Sequence, residues 1–202
     1  MASASGDNTA VIWSVSAWKA KFRLKHNGPV YTAVFSPDGR SLATASGDGR
    51  VAIWSVSDGQ KRLDVKKHDD AVYGAAFSPN GRILATAGGN GDGGDTTCRL
   101  WDSGTLTLVT EYQGHTFPVY GVAFSPDGTR LAAVGDDFRL RVWSTRGFYS
   151  LLQKKLSREA IYAVTFLSDG KSVAVGGADT MIRLLPYPTA GQTRSADGAH
   201  AQ

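Results

Sequence analysis

Several features are scarce in this 202-residue sequence, and each scarcity narrows the range of functions. A single cysteine, Cys98, excludes a disulfide within the chain and indicates a reducing compartment, the cytosol or the nucleus. No run of about 18 apolar residues occurs, so no membrane span is expected. Residues 1–7 lack the basic start and apolar stretch of a secretory signal. Basic residues exceed acidic ones only slightly, and the net charge of +4 does not require a nucleic-acid partner.

Glycine is abundant instead, and it belongs to a repeat. The chain has 24 glycines against 7 prolines, and no segment of useful length has helical periodicity. A phenylalanine followed by a tight-turn sequence recurs at intervals of 42, 47 and 42 residues, in the segments 35–39, 77–81, 124–128 and 166–170. Tryptophans recur with the same rhythm, at Trp13, Trp54, Trp101 and Trp143. A fixed period of this length indicates tandem structural repeats.

Each repeat is predicted to contain four short strands. In the second copy, β-rich segments at 30–35, 41–45, 51–56 and 60–65 are separated by glycine-containing turns. The inner strands are apolar on both faces, as expected when each sheet is sandwiched between two others. The fourth alternates and carries charge, as expected for an exposed outer strand. Counting along the chain gives three, four, four, four and three strands.

On these residues the chain resembles the WD-repeat family over about residues 2–188. Trp101-Asp102 shows the full Trp-Asp pair and Gly114-His115 the Gly-His pair, whereas serine follows the other three tryptophans. The resemblance implies an all-β protein, a β-propeller of four-stranded antiparallel blades. The expected blades are 1–27, 28–69, 70–116, 117–158 and 159–188, and residues 189–202 are expected to form a disordered tail.

The count of about four and a half blades leaves three interpretations open. The chain is part of a larger propeller such as a seven-bladed one, or it closes as a distorted five-bladed ring, or it pairs with another chain to complete the ring. An open propeller exposes strand edges, which favours the first interpretation. Self-association is expected if the ring is incomplete.

Histidine, threonine and aspartate recur together with tryptophan. The resemblance implies a buried hydrogen-bond chain in each blade, from Asp to His, from His to Ser or Thr, and from there to the indole N–H. Two sets are complete: His26, Thr44, Asp48 and Trp54, and His68, Thr86, Asp95 and Trp101. A third set, His115, Asp137 and Trp143, has Ala133 in place of the hydroxyl, and only Asp179 remains in the last blade. Recurrence once per repeat indicates a structural role, because an activated nucleophile occurs singly at a cleft.

A tyrosine occupies the same position in four repeats: Tyr31, Tyr73, Tyr120 and Tyr162. The resemblance implies that these side chains lie on the narrow face around the central channel, where partner peptides often bind. Tyrosine offers rigid contact area and a hydroxyl, so the four would form an anchor surface, with Asp136 on the same face. The alternative is that duplication copied a tyrosine that packs between blades.

Lysines cluster in the predicted outer strands, and Lys66 and Lys67 fall near the strand ends that approach the tyrosines. Together with tyrosine they would suit an acidic or phosphorylated peptide, or RNA or anionic lipid through the lysine-rich strands. The alternative is protection of exposed strand edges. The Asn/Asp/Gly-rich segment 88–95 lacks the closing glutamate of a calcium loop, so no metal and no cofactor is predicted. The function predicted from the sequence is a non-enzymatic scaffold that binds proteins or peptides, with nucleic acid the less favoured partner.

Overall fold

The computed structural model describes residues 1–90 and 94–186, and all regular structure in them is β. Eighteen strands form five separate antiparallel sheets of three or four strands, which confirms the predicted all-β class and its propeller blades. No helix in the described ranges is long and apolar enough to cross a membrane. The predicted disordered tail, residues 189–202, lies outside the described residues.

The five sheets, named blades 1 to 5 in chain order, are meanders in which each strand pairs with the next. Blade 1 contains β1 (Ala2–Ala4), β2 (Thr9–Ser14) and β3 (Lys19–Lys25). Blade 2 contains β4 (Val30–Phe35), β5 (Ser41–Ser46), β6 (Arg50–Ser55) and β7 (Lys61–Lys66). Blade 3 contains β8 (Val72–Phe77), β9 (Ile83–Gly88), β10 (Cys98–Asp102) and β11 (Leu108–Tyr112). Blade 4 contains β12 (Val119–Phe124), β13 (Arg130–Gly135), β14 (Arg139–Ser144) and β15 (Ser150–Lys155), and blade 5 contains β16 (Ile161–Phe166), β17 (Ser172–Gly177) and β18 (Ile182–Pro186).

The repeated Ser-Pro-Asp-Gly sequence closes the hairpin between the first two strands of a blade. In blade 2 the Ser36 hydroxyl donates to Asp38 Oδ1 at 2.6 Å, and the Gly39 amide donates to the Ser36 carbonyl at 2.8 Å. Gly39 has φ +69°, a left-handed conformation that glycine adopts without steric cost. The sequence therefore fixes where β4 ends and where β5 begins.

The hydrophobic core lies between blades rather than inside one blade. One cluster joins β5 and β6 to blade 3, and its buried members are Ala43, Ala45, Val51, Ile53, Val72, Ala75, Leu84, Trp101 and Leu106. The first strands of consecutive blades, β4, β8, β12 and β16, pack side by side. Each blade therefore buries its apolar faces on its neighbours, as expected for a repeat that is not stable alone.

The outward face of blade 5 differs from the corresponding face of the inner blades. Ile182 and Leu184 on β18 are 80% and 66% exposed, whereas the equivalent Val51 and Ile53 of blade 2 are 0% and 5% exposed. The apolar side chains of β18 are therefore exposed, because no described blade packs against this face of blade 5.

Candidate functional site

The four repeated tyrosines form a continuous ladder across blades 2 to 5, which we call the tyrosine ladder. Ring centroids lie 4.9 Å apart for Tyr31 and Tyr73, 5.2 Å for Tyr73 and Tyr120, and 5.4 Å for Tyr120 and Tyr162, with tilted or T-shaped ring planes. These separations are typical of favourable aromatic pairs. Tyr31 and Tyr162 at the ends are 48% and 53% exposed, and the two middle rings are half-buried. The tyrosines therefore pack across blades and also present a surface.

A β-bulge positions each tyrosine. In blade 2, Val30 pairs with Ser46 and Thr32 pairs with Ala45, so that Tyr31 between them has no partner residue on β5. The register shifts in the same way at the other three tyrosines. A bulge kinks the strand and redirects the side chain of the extra residue. Four identical bulges thus aim four rings in one direction.

Glycine after the bulge lets neighbouring blades approach closely. A Cβ on Gly74, which follows Tyr73, would lie 2.8 Å from the carbonyl oxygen of Tyr120. A Cβ on Gly121 would lie 2.9 Å from the carbonyl oxygen of Tyr162. Both distances are shorter than a carbon–oxygen contact allows, so the absence of a side chain sets the spacing of the ladder in blades 3 to 5.

Two carboxylates contribute to the raised pKa values of the middle tyrosines of the ladder. Burial raises the pKa of Tyr73 above its ordinary value of 10.0, and the neighbouring tyrosine and the charge of Asp70 raise it further. Burial likewise raises the pKa of Tyr120, with further contributions from Asp136 and the flanking tyrosines. The Asp136 amide donates to the Pro118 carbonyl at 2.9 Å, two residues before Tyr120, which places Asp136 beside the strand of that tyrosine. Asp70, three residues before Tyr73, was not expected from the sequence.

The two lysines assigned to the same face lie in different surroundings. The Lys67 ammonium lies 5.0 Å from the centroid of the Trp101 ring, and its backbone carbonyl accepts a hydrogen bond from Arg99. Lys66 ends β7, where it pairs with Arg50 of β6, and its side chain is exposed. Lys67 is thus engaged by an aromatic ring outside the ladder.

Blade 3 contains a continuous hydrogen-bond chain. The Trp101 indole donates to Thr86 Oγ1 at 2.8 Å, Thr86 Oγ1 lies 2.7 Å from His68 Nε2, and His68 Nδ1 lies 2.7 Å from Asp95 Oδ2. Because Thr86 accepts the indole proton, its own proton is free for His68 Nε2, and Nδ1–H then donates to Asp95. Burial alone would raise the pKa of Asp95, but hydrogen bonds from His68 and Thr97 hold this pKa well below its usual range.

The corresponding chain in blade 2 stops at the histidine. Trp54 donates to Thr44 at 2.8 Å, and Thr44 lies 2.9 Å from His26 Nε2. Asp48 instead accepts from the Ser46 hydroxyl at 2.5 Å, and its Oδ2 is buried without a hydrogen-bond partner. The structure does not form the link from Asp48 to His26 expected from the sequence, and the Oδ2 atom that bonds the histidine in blade 3 lies 4.0 Å from Arg50 Nε in blade 2.

Blade 4 replaces the missing hydroxyl with a buried charge cluster. His115 Nδ1 lies 3.0 Å from Asp137 Oδ1, and Arg141 Nη1 contacts both Asp137 Oδ2 and His115 Nδ1. Ala133 offers no hydroxyl, and His115 Nε2 is buried without a partner. Burial lowers the pKa of His115, and the Arg141 cation lowers it further against the opposing effect of Asp137. Trp143 stacks on Tyr112, with centroids 5.1 Å apart.

An arginine lies beside the aspartate in three consecutive blades, and the sequence analysis missed it. The ion pairs join Arg99 to Asp95, Arg141 to Asp137 and Arg183 to Asp179. Each arginine follows its aspartate by four residues, so the same spacing argument that found the aspartates would have found it. In blade 5 the hydrogen bond from Arg183, with a second from Ser157, lowers the pKa of Asp179 to about 2.

The histidine–aspartate pair of blade 3 is closed to solvent. The side chains of His68 and Asp95 are 0% and 2% exposed, which leaves no access for a substrate. Within residues 1–90 and 94–186, no group of three or more His, Cys, Asp or Glu is placed to hold a metal ion.

Comparison with known proteins identifies one family. The family model described as WD domain, G-beta repeat matches residues 18–55, 59–102, 106–144 and 151–184, well over half of the chain. The first match runs from β3 to β6, so one repeat unit combines the outer strand of a blade with the three inner strands of the next. No curated protein matches the chain significantly.

Proposed function

The chain belongs to the WD-repeat family, and on this premise we propose that it is a non-enzymatic scaffold that binds a partner protein on the face of the tyrosine ladder. WD repeats generally act as scaffolds for protein–protein interaction and are typically not enzymes.

One observation carries the choice of face. The ladder joins four blades through ring contacts of 4.9–5.4 Å, and both of its ends are about half exposed. Large aromatic side chains held rigid by their neighbours are typical centres of binding energy in protein interfaces, because little conformational entropy is lost on binding. Asp136 lies close enough to act on Tyr120 and supplies a polar group beside the rings.

The outer strand β7 supports a different role for its basic residues. On β7, Lys61 pairs with Asp64 at 2.6 Å and Arg62 pairs with Asp58 at 2.8 Å, so both cations are already neutralised by carboxylates. Such pairs favour protection of an exposed strand edge over binding of RNA or anionic lipid. The assignment of Lys66 and Lys67 as partner contacts remains a prediction.

The test is a quantitative interaction experiment with matched variants. Partners captured by the wild-type chain from its own cell extract are compared with those captured by Tyr31→Ala/Tyr162→Ala, which truncates the exposed ends of the ladder. Tyr149→Ala is the control, because Tyr149 is equally exposed but lies outside the ladder, next to β15. We expect a partner that the ladder variant loses and the control retains, with the loss reproduced by calorimetry on the purified partner. Equal capture by all three would place the interface elsewhere.

A further inference from the structure

We propose that the tyrosine ladder selects a protein segment that presents a cationic side chain, arginine or lysine, held by the ring faces and by the carboxylates of Asp70 and Asp136. This inference rests on the proposed function and specifies the chemistry of its partner. It reverses the sequence-based expectation of an acidic or phosphorylated peptide.

The first argument is the arrangement of the rings. Consecutive rings are tilted by 47°, 70° and 54°, so edges and faces alternate and the ladder is not a closed stack. Tilted rings with partly exposed surfaces leave π faces open to a ligand, and a cation within about 6 Å of a ring centroid is attracted by the ring quadrupole. Arginine adds planar stacking to this attraction.

The second argument is the sign of the nearby charge. Asp70 precedes Tyr73 by three residues, and the Asp136 amide donates to the carbonyl of Pro118 at 2.9 Å, two residues before Tyr120. Both carboxyl residues therefore lie beside the strands that carry the middle rings, and they raise the pKa values of those tyrosines. Asp70 is held in place by two hydrogen bonds, from Asn90 Nδ2 at 2.9 Å to Oδ1 and from the backbone amide of Asp95 at 3.0 Å to Oδ2. A carboxylate oxygen has two lone pairs, so each keeps capacity for a further donor.

One of the two lysines that would have favoured an anionic partner lies away from the rings. Lys67 is directed over Trp101 instead of the ladder. A phosphate placed on the rings would therefore meet the carboxylates of Asp70 and Asp136 without help from Lys67, and like charges repel each other strongly in a half-buried setting. A guanidinium or ammonium group would complete the site.

The experiment uses the full chain with tyrosine rings labelled with ¹³C and followed by nuclear magnetic resonance. Three capped pentapeptides, Gly-Ser-X-Ser-Gly with X as arginine, lysine or phosphoserine, are titrated separately. We expect the arginine and lysine peptides to shift the resonances of Tyr73 and Tyr120 in a saturable way, while phosphoserine leaves them unchanged. Comparing the two cationic peptides shows which side chain the site prefers.

Matched variants assign the effect to the carboxylate. Asp136→Asn should weaken binding of the arginine peptide about three- to tenfold, the usual effect of removing one partly desolvated charge partner. Asp38→Asn is the control, because blade 3 already carries Asn80 at that turn position, and it should leave the affinity unchanged. If Asp136→Asn unfolds the chain, Tyr31→Leu on the exposed end replaces it, with the same weakening expected.

The outcomes separate this inference from the proposed function. Shifts caused by phosphoserine and not by arginine, or equal affinities for Asp136→Asn and wild type, would overturn the cationic partner and leave the scaffold in place. Binding of a single-stranded RNA to the ladder with steep salt dependence would also overturn it. The proposed binding face itself would be contradicted only by equal capture of partners by the wild-type chain, the ladder variant and the control.

Discussion

Blades 2, 3 and 4 carry the same histidine, aspartate and tryptophan positions but differ in the hydroxyl groups beside them. Thr86 links the blade 3 set without a competitor. In blade 2 an additional hydroxyl, Ser46, donates to Asp48, and the aspartate does not bond to the histidine. In blade 4 the hydroxyl is missing, and one histidine nitrogen is left without a partner. The three buried chains thus differ in how many of their polar atoms are bonded, and a buried polar group without a partner lowers stability.

Restoring the hydroxyl in blade 4 should stabilise the protein. Threonine and valine have nearly the same shape, so Ala133→Thr compared with Ala133→Val isolates the hydroxyl beside His115 Nε2. We expect the threonine variant to be more stable by about 1–2 kcal/mol, the range for satisfying a buried polar group. Urea denaturation of the two variants measures the difference. A valine variant as stable as the threonine variant would show that the hydroxyl does not reach the histidine.

Removing the histidine should lower the free energy of unfolding more in blade 3 than in blade 2. His68 is buried with both ring nitrogens bonded, whereas His26 is half-exposed and is bonded only through Nε2 to Thr44. His68→Ala should lower the free energy of unfolding by about 1–3 kcal/mol, and His26→Ala by about 1 kcal/mol or less. Thermal and urea denaturation test this ranking. An unchanged melting temperature for His68→Ala would contradict a structural role for the blade 3 chain.

Sequence spacing located most of these residues, because a period of about 42 residues places equivalent side chains in equivalent strands. It could not give their connectivity. Asp48 bonds to Ser46 and not to His26, and Arg141 is buried against Asp137 and His115. Such outcomes are set by three-dimensional distances between side chains that are far apart in the sequence.

At the scale of single strands, the turns were predictable and the bulges were not. The Ser-Pro-Asp-Gly sequence marks the ends of β4 and β12 by local conformation alone. A bulge depends on how two strands align, and the residues around Tyr31 look like an ordinary apolar strand. The sequence therefore indicated that four tyrosines are equivalent, and it left open whether they bind or pack.

The spacing of the ladder should depend on the glycine after the bulge. In Gly74→Ala the new Cβ would lie 2.8 Å from the carbonyl oxygen of Tyr120, so the innermost strands of blades 3 and 4 must separate. We expect a loss of about 1–3 kcal/mol, the usual cost of overpacking, measured by urea denaturation.

Gly176→Ala on β17 is the matched control, since its nearest neighbours would be 3.9 Å and 4.0 Å away. Equal stability of the two variants would show that the strand contact is not close-packed in solution. The Gly74→Ala variant should also change the ring resonances of the flanking tyrosines.

For the whole molecule, the histidines should make stability fall in mild acid. Burial lowers the pKa of both His26 and His115 below the ordinary 6.5. Between the folded pKa and 6.5 the unfolded chain binds more protons, so the free energy of unfolding decreases as the pH falls below about 6.5. The slope is at most about 1.4 kcal/mol per pH unit for each histidine. Denaturation at pH 7, 6 and 5 measures it, and His26→Gln/His115→Gln should flatten it; an unaltered slope would assign the effect to other groups.

The lowered carboxylate pKa values act in a second, more acidic range. Asp137 is held ionised by His115 and Arg141 despite its burial, and Asp179 titrates at about 2. A depressed carboxylate pKa contributes stability above the unfolded value of 3.8, and that contribution is lost as the pH falls through the folded value. The carboxylate effect should therefore begin at a lower pH, near 3.8, than the histidine effect, which begins near 6.5.

The outward faces of blades 1 and 5 predict association between copies of the chain. Blade 5 exposes Ile182 and Leu184, whose equivalents elsewhere are covered by the next blade. Blade 1 exposes Trp18 at the position where blade 3 buries Leu106 against blade 2. The two exposed faces are thus the two halves of the same kind of blade contact, and a head-to-tail contact with a second copy would bury both.

Light scattering coupled to size exclusion should therefore show a mass that rises with concentration. Ile182→Asp/Leu184→Asp on one face, or Trp18→Ser on the other, should each return the chain to a monomer, because a head-to-tail contact needs both faces. Val109→Asp, on the exposed outer strand β11, is the control and should leave association unchanged. If only the blade 5 variant acts, the contact is between two copies of that face, and if neither acts, the exposed faces do not meet each other in solution.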